Sequence, residues 1–241
     1  INRSNAVLVN IPEANYDEQF QNEIVGEAHF LRAWNYFNLV RAFGNVPIHR
    51  DVVETLDQTS TPLSENLDEI YDLIISDCEQ AIELLGVNQR LGRADKVAAQ
   101  ALLAKVYLQI ASAKENGVAL YTEMDKDVNS MYSLAEQTAN QVLEGQTVYG
   151  FEEDLLDIYD VEMPLGKENI FLLSMDRTGT VEGDYSKISK LFIPYIDGAT
   201  IYLKNPNETY TPSHDGWSVF NTQIGFFNSF DNSRCSIVSI I

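Results

Sequence analysis

Aromatic rings interleaved with amides and carboxylates crowd one stretch of the chain, from Tyr195 to Trp217. Tyr195, Tyr202, Tyr210 and Trp217 supply flat rings, and Asp197, Asn205, Asn207, His214 and Asp215 lie among them. That mixture suits a sugar. The apolar face of a pyranose stacks on an aromatic ring, while its hydroxyls need amide, carboxylate or guanidinium partners. The candidate ligand-binding residues are therefore Trp217, Tyr210, Tyr202, Tyr195, Asp215 and Asn207. Trp217 is the sharpest of them. Ser213, His214, Asp215 and Gly216 before it are polar and turn-forming, a setting that can present an indole at a surface. The competing reading is that these rings pack loops onto a helical body.

Other constellations carry less. Asp125, Asp127, Asn129 and Glu136 have the ligand spacing of an EF-hand calcium loop. Such a loop needs Gly at its sixth position for a sharp turn, and Ser130 stands there. Acids and amides in front of a helix are ordinary caps and dipole partners, which is the expected role here. The acidic run Glu152, Glu153, Asp154, Asp157 and Asp160 reads as a solvated helical turn with Leu155, Leu156, Ile158 and Tyr159 on its apolar side. His29, His49 and His214 are far apart, and none belongs to an H-E-x-x-H pair. His29 falls in an apolar helix and reads as structural. No G-x-S-x-G elbow, Walker loop or dinucleotide glycine pattern occurs. Acids are plentiful, and nothing selects two of them as a glycosidase pair. No catalytic residue, metal or cofactor is expected.

Composition narrows the partners. The chain has 241 residues and a net charge of −20, so phosphate backbones are repelled and nucleic acid is excluded as a partner. Its 45% hydrophobic content is that of an ordinary globular protein. Two cysteines make neither a disulfide framework nor a zinc site. Cys78 lies on an apolar helical stripe and reads as a buried, inert thiol. No run is long and apolar enough to span a bilayer, and no signal peptide is present. The chain opens inside a helical pattern without Met and stops in the apolar Ser236–Ile241, so it is expected to be part of a longer protein.

Helices must position whatever the aromatic stretch does. Residues 1–150 read as a helical-repeat scaffold, and residues 151–241 as a loop-rich ligand-binding portion packed on it. Ala6, Val7, Val9 and Ile11 offer packing surface at the start. Asp17 can cap a long helix ending at Gly44, with Pro47 stopping any continuation. Apolar residues from Phe30 to Val40 wrap most of that helix and leave a polar stripe at Arg32, Asn35, Asn38 and Arg41, so it should be covered on several sides. Asn66 with Glu69 marks the next start, before Leu67, Ile70, Tyr71, Ile74, Cys78, Ala81, Ile82 and Leu85 on one face. Asp95 can cap a helix carrying Ala98, Ala99, Ala101 and Ala104, small residues that let helix axes approach closely. A last helix over 128–144 should bury Tyr132, Ala135, Ala139, Val142 and Leu143, with Gly145 as its cap. Helices in such pairs suggest a helical-repeat solenoid. Beyond residue 151 helical periodicity fades, and 170–175 predicts a short strand.

The residues of the first motif say more than their period. Glu27, Ala28, Phe30, Leu31, Arg32, Ala33, Tyr36, Phe37, Leu39, Val40, Arg41, Phe43, Gly44, Val46 and Pro47 make the string E-A-x-F-L-R-A-x-x-Y-F-x-L-V-R-x-F-G-x-V-P. That string resembles the SusD/RagB family of outer-membrane nutrient-binding lipoproteins. Three more pieces follow in the family's order: 69–77, Gly92-Arg93-Ala94-Asp95 leading into 98–108, and 167–171. The resemblance runs from about Ile1 to about Phe171 and then thins. It implies a mainly α fold with tetratricopeptide-like repeats and a loop-rich, aromatic-rich C-terminal portion containing short strands. It also implies non-catalytic binding of glycans or other nutrients at the cell surface, delivery to a TonB-dependent (SusC-like) outer-membrane transporter, and a lipid anchor on a segment absent from this chain. The alternative is an intracellular helical-repeat scaffold that binds peptides in a groove. It would use the helices and leave the aromatic stretch unexplained.

Overall fold

A computed structural model describes residues 1–144, 146–154, 157–158 and 165–172, together with the backbone of 201–202 and 209–210. The chain divides into two compact units, Ile1–Leu173 and Ser174–Ile241.

The first unit is a run of helices: α1 (Asn2–Asn10), α2 (Glu18–Phe43), α3 (Leu67–Leu84), α4 (Lys96–Glu115) and α5 (Val128–Glu144). Each packs on the next in sequence. Contacts at the turns show that consecutive long helices run antiparallel. Gly26, early in α2, lies against Leu84 and Leu85 at the end of α3. The Lys96 amide opening α4 donates to the Gly86 carbonyl just beyond α3. At the other edge Tyr132 of α5 donates to Glu115 at the end of α4 (2.5 Å). The fold is mainly α, as the periodicities imply, and tetratricopeptide-like, as the family resemblance implies.

The predicted caps are present. Asp17, Asn66 and Asp95 each accept a hydrogen bond from the backbone amide three residues on, Phe20, Glu69 and Ala98. Each bond satisfies an amide that the helix itself leaves without a partner. Gly44 ends α2 at φ +72°, a conformation that L side chains rarely adopt.

The core runs through the stack: Phe30, Tyr36 and Val40 from α2, Ile70, Tyr71, Ile74, Cys78 and Ala81 from α3, and Val97, Ala99, Val106 and Ile110 from α4 are buried. Every residue expected on the α3 face is buried except Ile82, which is partly so. Burial pushes the Cys78 thiol well above its ordinary value, as the inert-thiol reading requires.

Three expectations need correction. The α2 surface is not covered all round: Leu31 and Trp34 are exposed (42% and 39%), whereas Arg32, placed on the polar stripe, is buried. The α5 face is Met131, Ala135 and Thr138, and Ala139 and Leu143 point to solvent. In α1 the buried side chains are Ser4 and Asn5 rather than the aliphatic ones. A polar partner on α2 decides that last reversal. Of the strand predicted over 170–175, residues 170–172 form bends and coil, and the rest lies outside the described residues. Phe171 is held there by ring contacts with Phe30 (centroids 4.9 Å) and Trp34 (5.6 Å), not by a ladder. In the second unit a two-stranded antiparallel hairpin joins β1 (Ile201–Tyr202) to β2 (Thr209–Tyr210).

Candidate ligand-binding site

Of the predicted ligand-binding residues, Tyr195, Asn207, Asp215 and Trp217 lie outside the described residues. The hairpin backbone carries Tyr202 and Tyr210, with Tyr202 opposite Thr209 and Tyr210 opposite Ile201. The two tyrosines are therefore in the same short ladder but are not partners. Asn205 and Asn207 fall between the strands in sequence, where a ligand-contacting loop is commonly carried.

The polar groups of the helical unit serve a different purpose. Asp77 of α3 receives two hydrogen bonds from Arg32 of α2, both at 2.7 Å, and lies 2.6 Å from Nδ1 of His29. A third guanidinium nitrogen of Arg32 donates to Asn5 of α1 at 2.9 Å. The Asn5 amide donates to the carbonyls of His49 and Asp51 (3.0 and 2.8 Å). One buried arginine thus ties α1, α2, α3 and the 49–51 loop together. A planar guanidinium suits this role because it offers several donors at fixed angles. The geometry is that of a clamp with every charge paired, and it settles His29 as structural.

A second pair joins two of the family-like motifs. Arg93, in the turn before α4, donates to Glu27 of α2 through Nε at 2.7 Å and pairs through Nη2 at 2.6 Å. Arg90 adds longer contacts to Glu23 and Glu27 (3.3 and 3.4 Å). The Asp95 carboxylate caps α4 with one oxygen. Its other oxygen accepts from the Asn88 amide (3.1 Å) and the Tyr149 hydroxyl (2.9 Å).

The calcium-like spacing is resolved as capping. Asp127 accepts from the amide and the hydroxyl of Ser130, both at 2.8 Å, and these bonds lower its pKa. The amide of Asp125 donates to Asp68 at 3.1 Å. In the acidic run, Glu152 accepts from the Lys167 amide, and the Glu152 amide donates to Glu168 at 2.9 Å. Those carboxylates hold backbone. Among the described residues no group of three or more His, Cys, Asp or Glu side chains is placed to hold a metal, and no helix is long and apolar enough to cross a membrane.

Two aromatic pairs with exposed rings were not singled out by the sequence, and in the first of them Phe171 is partly buried. Trp34 leans edge-on against Phe171 beside the exposed Asn35 and Asn38. Tyr16 and Phe20, both exposed, stand 5.1 Å apart at the start of α2. The signal for Trp34 was available: it shares a helix face with Asn38 and Arg41, polar residues four and seven positions on.

Residues 1–108 match the model of the family SusD-like_3, described as starch-binding associating with outer membrane. The chain is 25% identical over 205 residues to SusD-like protein P38 of Formosa agariphila, a match covering 85% of this chain and 37% of that protein. It is 34% identical over 110 residues to SusD-like protein P2 of the same organism, across 45% of this chain and 22% of that one. It therefore spans little more than a third of the first of these relatives and less of the second. Among solved structures, a SusD superfamily protein from Parabacteroides distasonis superposes with a TM-score of 0.73 at 24% identity, across 97% of this chain and 45% of that one. A crystal structure described as containing a xylogluco-oligosaccharide has a TM-score of 0.60 at 23% identity, across 74% of this chain and 34% of that one. The chain is thus similar to the SusD-like family, most clearly over residues 1–108, the part of the chain in which Arg32 pairs with Asp77 and Arg93 with Glu27.

Proposed function

We propose that this chain is the helical frame and part of the ligand-binding portion of a non-catalytic, cell-surface glycan-binding protein. It captures an oligosaccharide and passes it to a TonB-dependent outer-membrane transporter. A lipid anchor on the longer protein holds it at the outer membrane. The observation that supports this reading is a helical stack whose first 108 residues match a family described as starch-binding and whose fold is similar to that of a solved protein described with a xylogluco-oligosaccharide. The aromatic stretch containing Tyr195, Tyr202, Asn207, Tyr210, Asp215 and Trp217 supplies rings and hydroxyl partners of the kind such a ligand needs.

Capture without bond cleavage asks little of the helices beyond stiffness. Rings held by a rigid support lose little freedom when the sugar docks, so more of the stacking energy survives as affinity. The test is a glycan array on the complete protein, followed by titration of the best ligand into Trp217→Ala. Aromatic anchors commonly contribute about 2 kcal/mol or more, so affinity should fall roughly thirtyfold. Full affinity in the variant removes Trp217 from the site. Release of shorter sugars from any oligosaccharide shows an enzyme instead.

A further inference from the structure

We propose that Asn116, just beyond α4, is a site of spontaneous covalent modification: its side chain closes onto the Gly117 amide, loses ammonia and reopens as aspartate or isoaspartate.

The sequence contains a single Asn-Gly pair, Asn116-Gly117. In any other Asn-X pair the side chain of X crowds the approach of its own amide nitrogen to the Asn carboxamide carbon, and glycine removes that obstacle. Both residues are exposed. A Cβ built on Gly117 would meet nothing within 4 Å among the described residues, so the approach is open on that side too. The step needs only water. The Gly117 nitrogen loses its proton to solvent and attacks Cγ of Asn116. The N–Cγ bond forms and the Cγ–Nδ2 bond breaks with its electron pair; Nδ2 takes a proton from solvent and leaves as ammonia. Water then opens the cyclic imide at either carbonyl. One opening gives aspartate in the ordinary main chain. The other gives isoaspartate, with the main chain running through the former side chain.

The folded geometry sets the pace. Gly117, at φ +68°, closes α4 in a Schellman arrangement: the Val118 amide donates to the Ala113 carbonyl (2.9 Å) and the Gly117 amide to the Lys114 carbonyl (3.1 Å). The Asn116 carboxamide donates to the Ser112 carbonyl (2.8 Å). Asn116 itself lies at φ −84°, ψ +10°, and attack needs that ψ rotated out of the helical range. The Asn116 and Gly117 bonds must therefore open first. They belong to the last turn of an exposed helix end, the part of a helix that opens most readily. The fold slows the reaction without blocking it.

The change reaches beyond the surface. Isoaspartate lengthens the main chain by a methylene. Either product sets a carboxylate beside the last carbonyls of α4, the end of a helix that disfavours negative charge. The residues that follow hold other helices. Leu120 packs against Gly44 at the end of α2, and the Tyr121 hydroxyl meets that of Tyr71 in α3 (2.7 Å). Lys114 donates to the carbonyls of Met124 and Lys126. Displacing the Gly117 turn loosens these contacts together.

The experiment is to age the complete protein in mildly alkaline buffer, both folded and in guanidinium chloride, and to follow it by peptide mass spectrometry. The expected result is replacement of NH by O at Asn116 before any other asparagine of the folded protein, with isoaspartate among the products. Modification should run roughly tenfold or more slowly in the folded protein, each tenfold corresponding to about 1.4 kcal/mol of opening. Asn116→Ser should abolish it, and ageing should lower the denaturant midpoint of the wild type but not of that variant. Survival of Asn116 in the folded protein after other asparagines have reacted overturns the proposal. So does a product of aspartate alone, because direct hydrolysis needs no closure onto Gly117. Equal rates in the folded and unfolded chains overturn the control by the last turn. An unchanged midpoint in fully modified protein overturns the link to α2 and α3.

Discussion

Arg32 shows how one residue can outweigh its surroundings. Its position among Phe30, Leu31, Ala33 and Trp34 made it part of a polar stripe, yet it is the hub of the first three helices. Removing one member of a buried ion pair leaves the other charge unpaired in a poorly polar setting, which typically costs about 3–5 kcal/mol. Arg32→Ala should lower the unfolding free energy of the helical unit by an amount in that range, read as a lower denaturant midpoint. The double change Arg32→Met with Asp77→Leu should cost less than either single change, because no charge is left unpaired. A double variant no more stable than the singles would show that the clamp acts through its hydrogen bonds to Asn5 and His29 instead.

At the scale of elements, the α2–α3 contact depends on a missing side chain. A Cβ on Gly26 would sit 2.7 Å from Cγ of Leu85 and 3.2 Å from Cβ of Leu84. Alanine is the better helix former by about 0.5–1 kcal/mol, so sequence reasoning alone favours Gly26→Ala. Overpacking a buried contact costs about 1–3 kcal/mol, and Leu85 is only 4% exposed, with little room to retreat. The clash should win, and Gly26→Ala should destabilise the unit in a urea titration. A stabilised variant would show that the end of α3 yields freely. The same junction carries the Glu27–Arg93 pair and the start of α4, so close approach and ion pairing reinforce each other there.

Across the helical unit, several tyrosines are drawn into the stack and share a response to alkali. Tyr36, Tyr71, Tyr107 and Tyr149 all have raised pKa values, chiefly from burial, and Tyr107 is pushed up to about 12. Hydrogen bonds add to this at Tyr71, which pairs with Tyr121, and at Tyr149, which donates to Asp95. The sign follows from proton counting. In the unfolded chain these phenols ionise near their ordinary value of 10.0, while in the folded chain they hold their protons to higher pH. Stability is therefore intact below about pH 10 and declines as pH rises toward and past 12. Urea midpoints measured at several alkaline pH values should fall steadily, and Tyr107→Phe should flatten part of that fall. An unchanged slope in the variant would mean that Tyr107 ionises freely in the folded protein.

Much of the frame was legible in the sequence because its causes are local. Asp17, Asn66 and Asp95 cap the amide three residues on, and Gly44 ends α2, whatever surrounds them. The α3 face follows from an apolar repeat that needs only a partner of any kind. The same holds for Asp127, whose spacing imitates a calcium loop but whose nearest donors are the amide and hydroxyl three residues away. Sequence also determined the aromatic and amide content of the stretch from Tyr195 to Trp217, and so the chemistry it can offer. Which polar residue goes inside could not be read the same way. Arg32, Asn5 and Asp77 are buried because three chain segments meet and satisfy one another, and no period encodes that meeting. Trp34 stays half open because helix packing decides which side of an apolar helix receives a neighbour. Local bonding is written residue by residue, whereas burial of a polar group depends on partners that only the tertiary structure brings within reach.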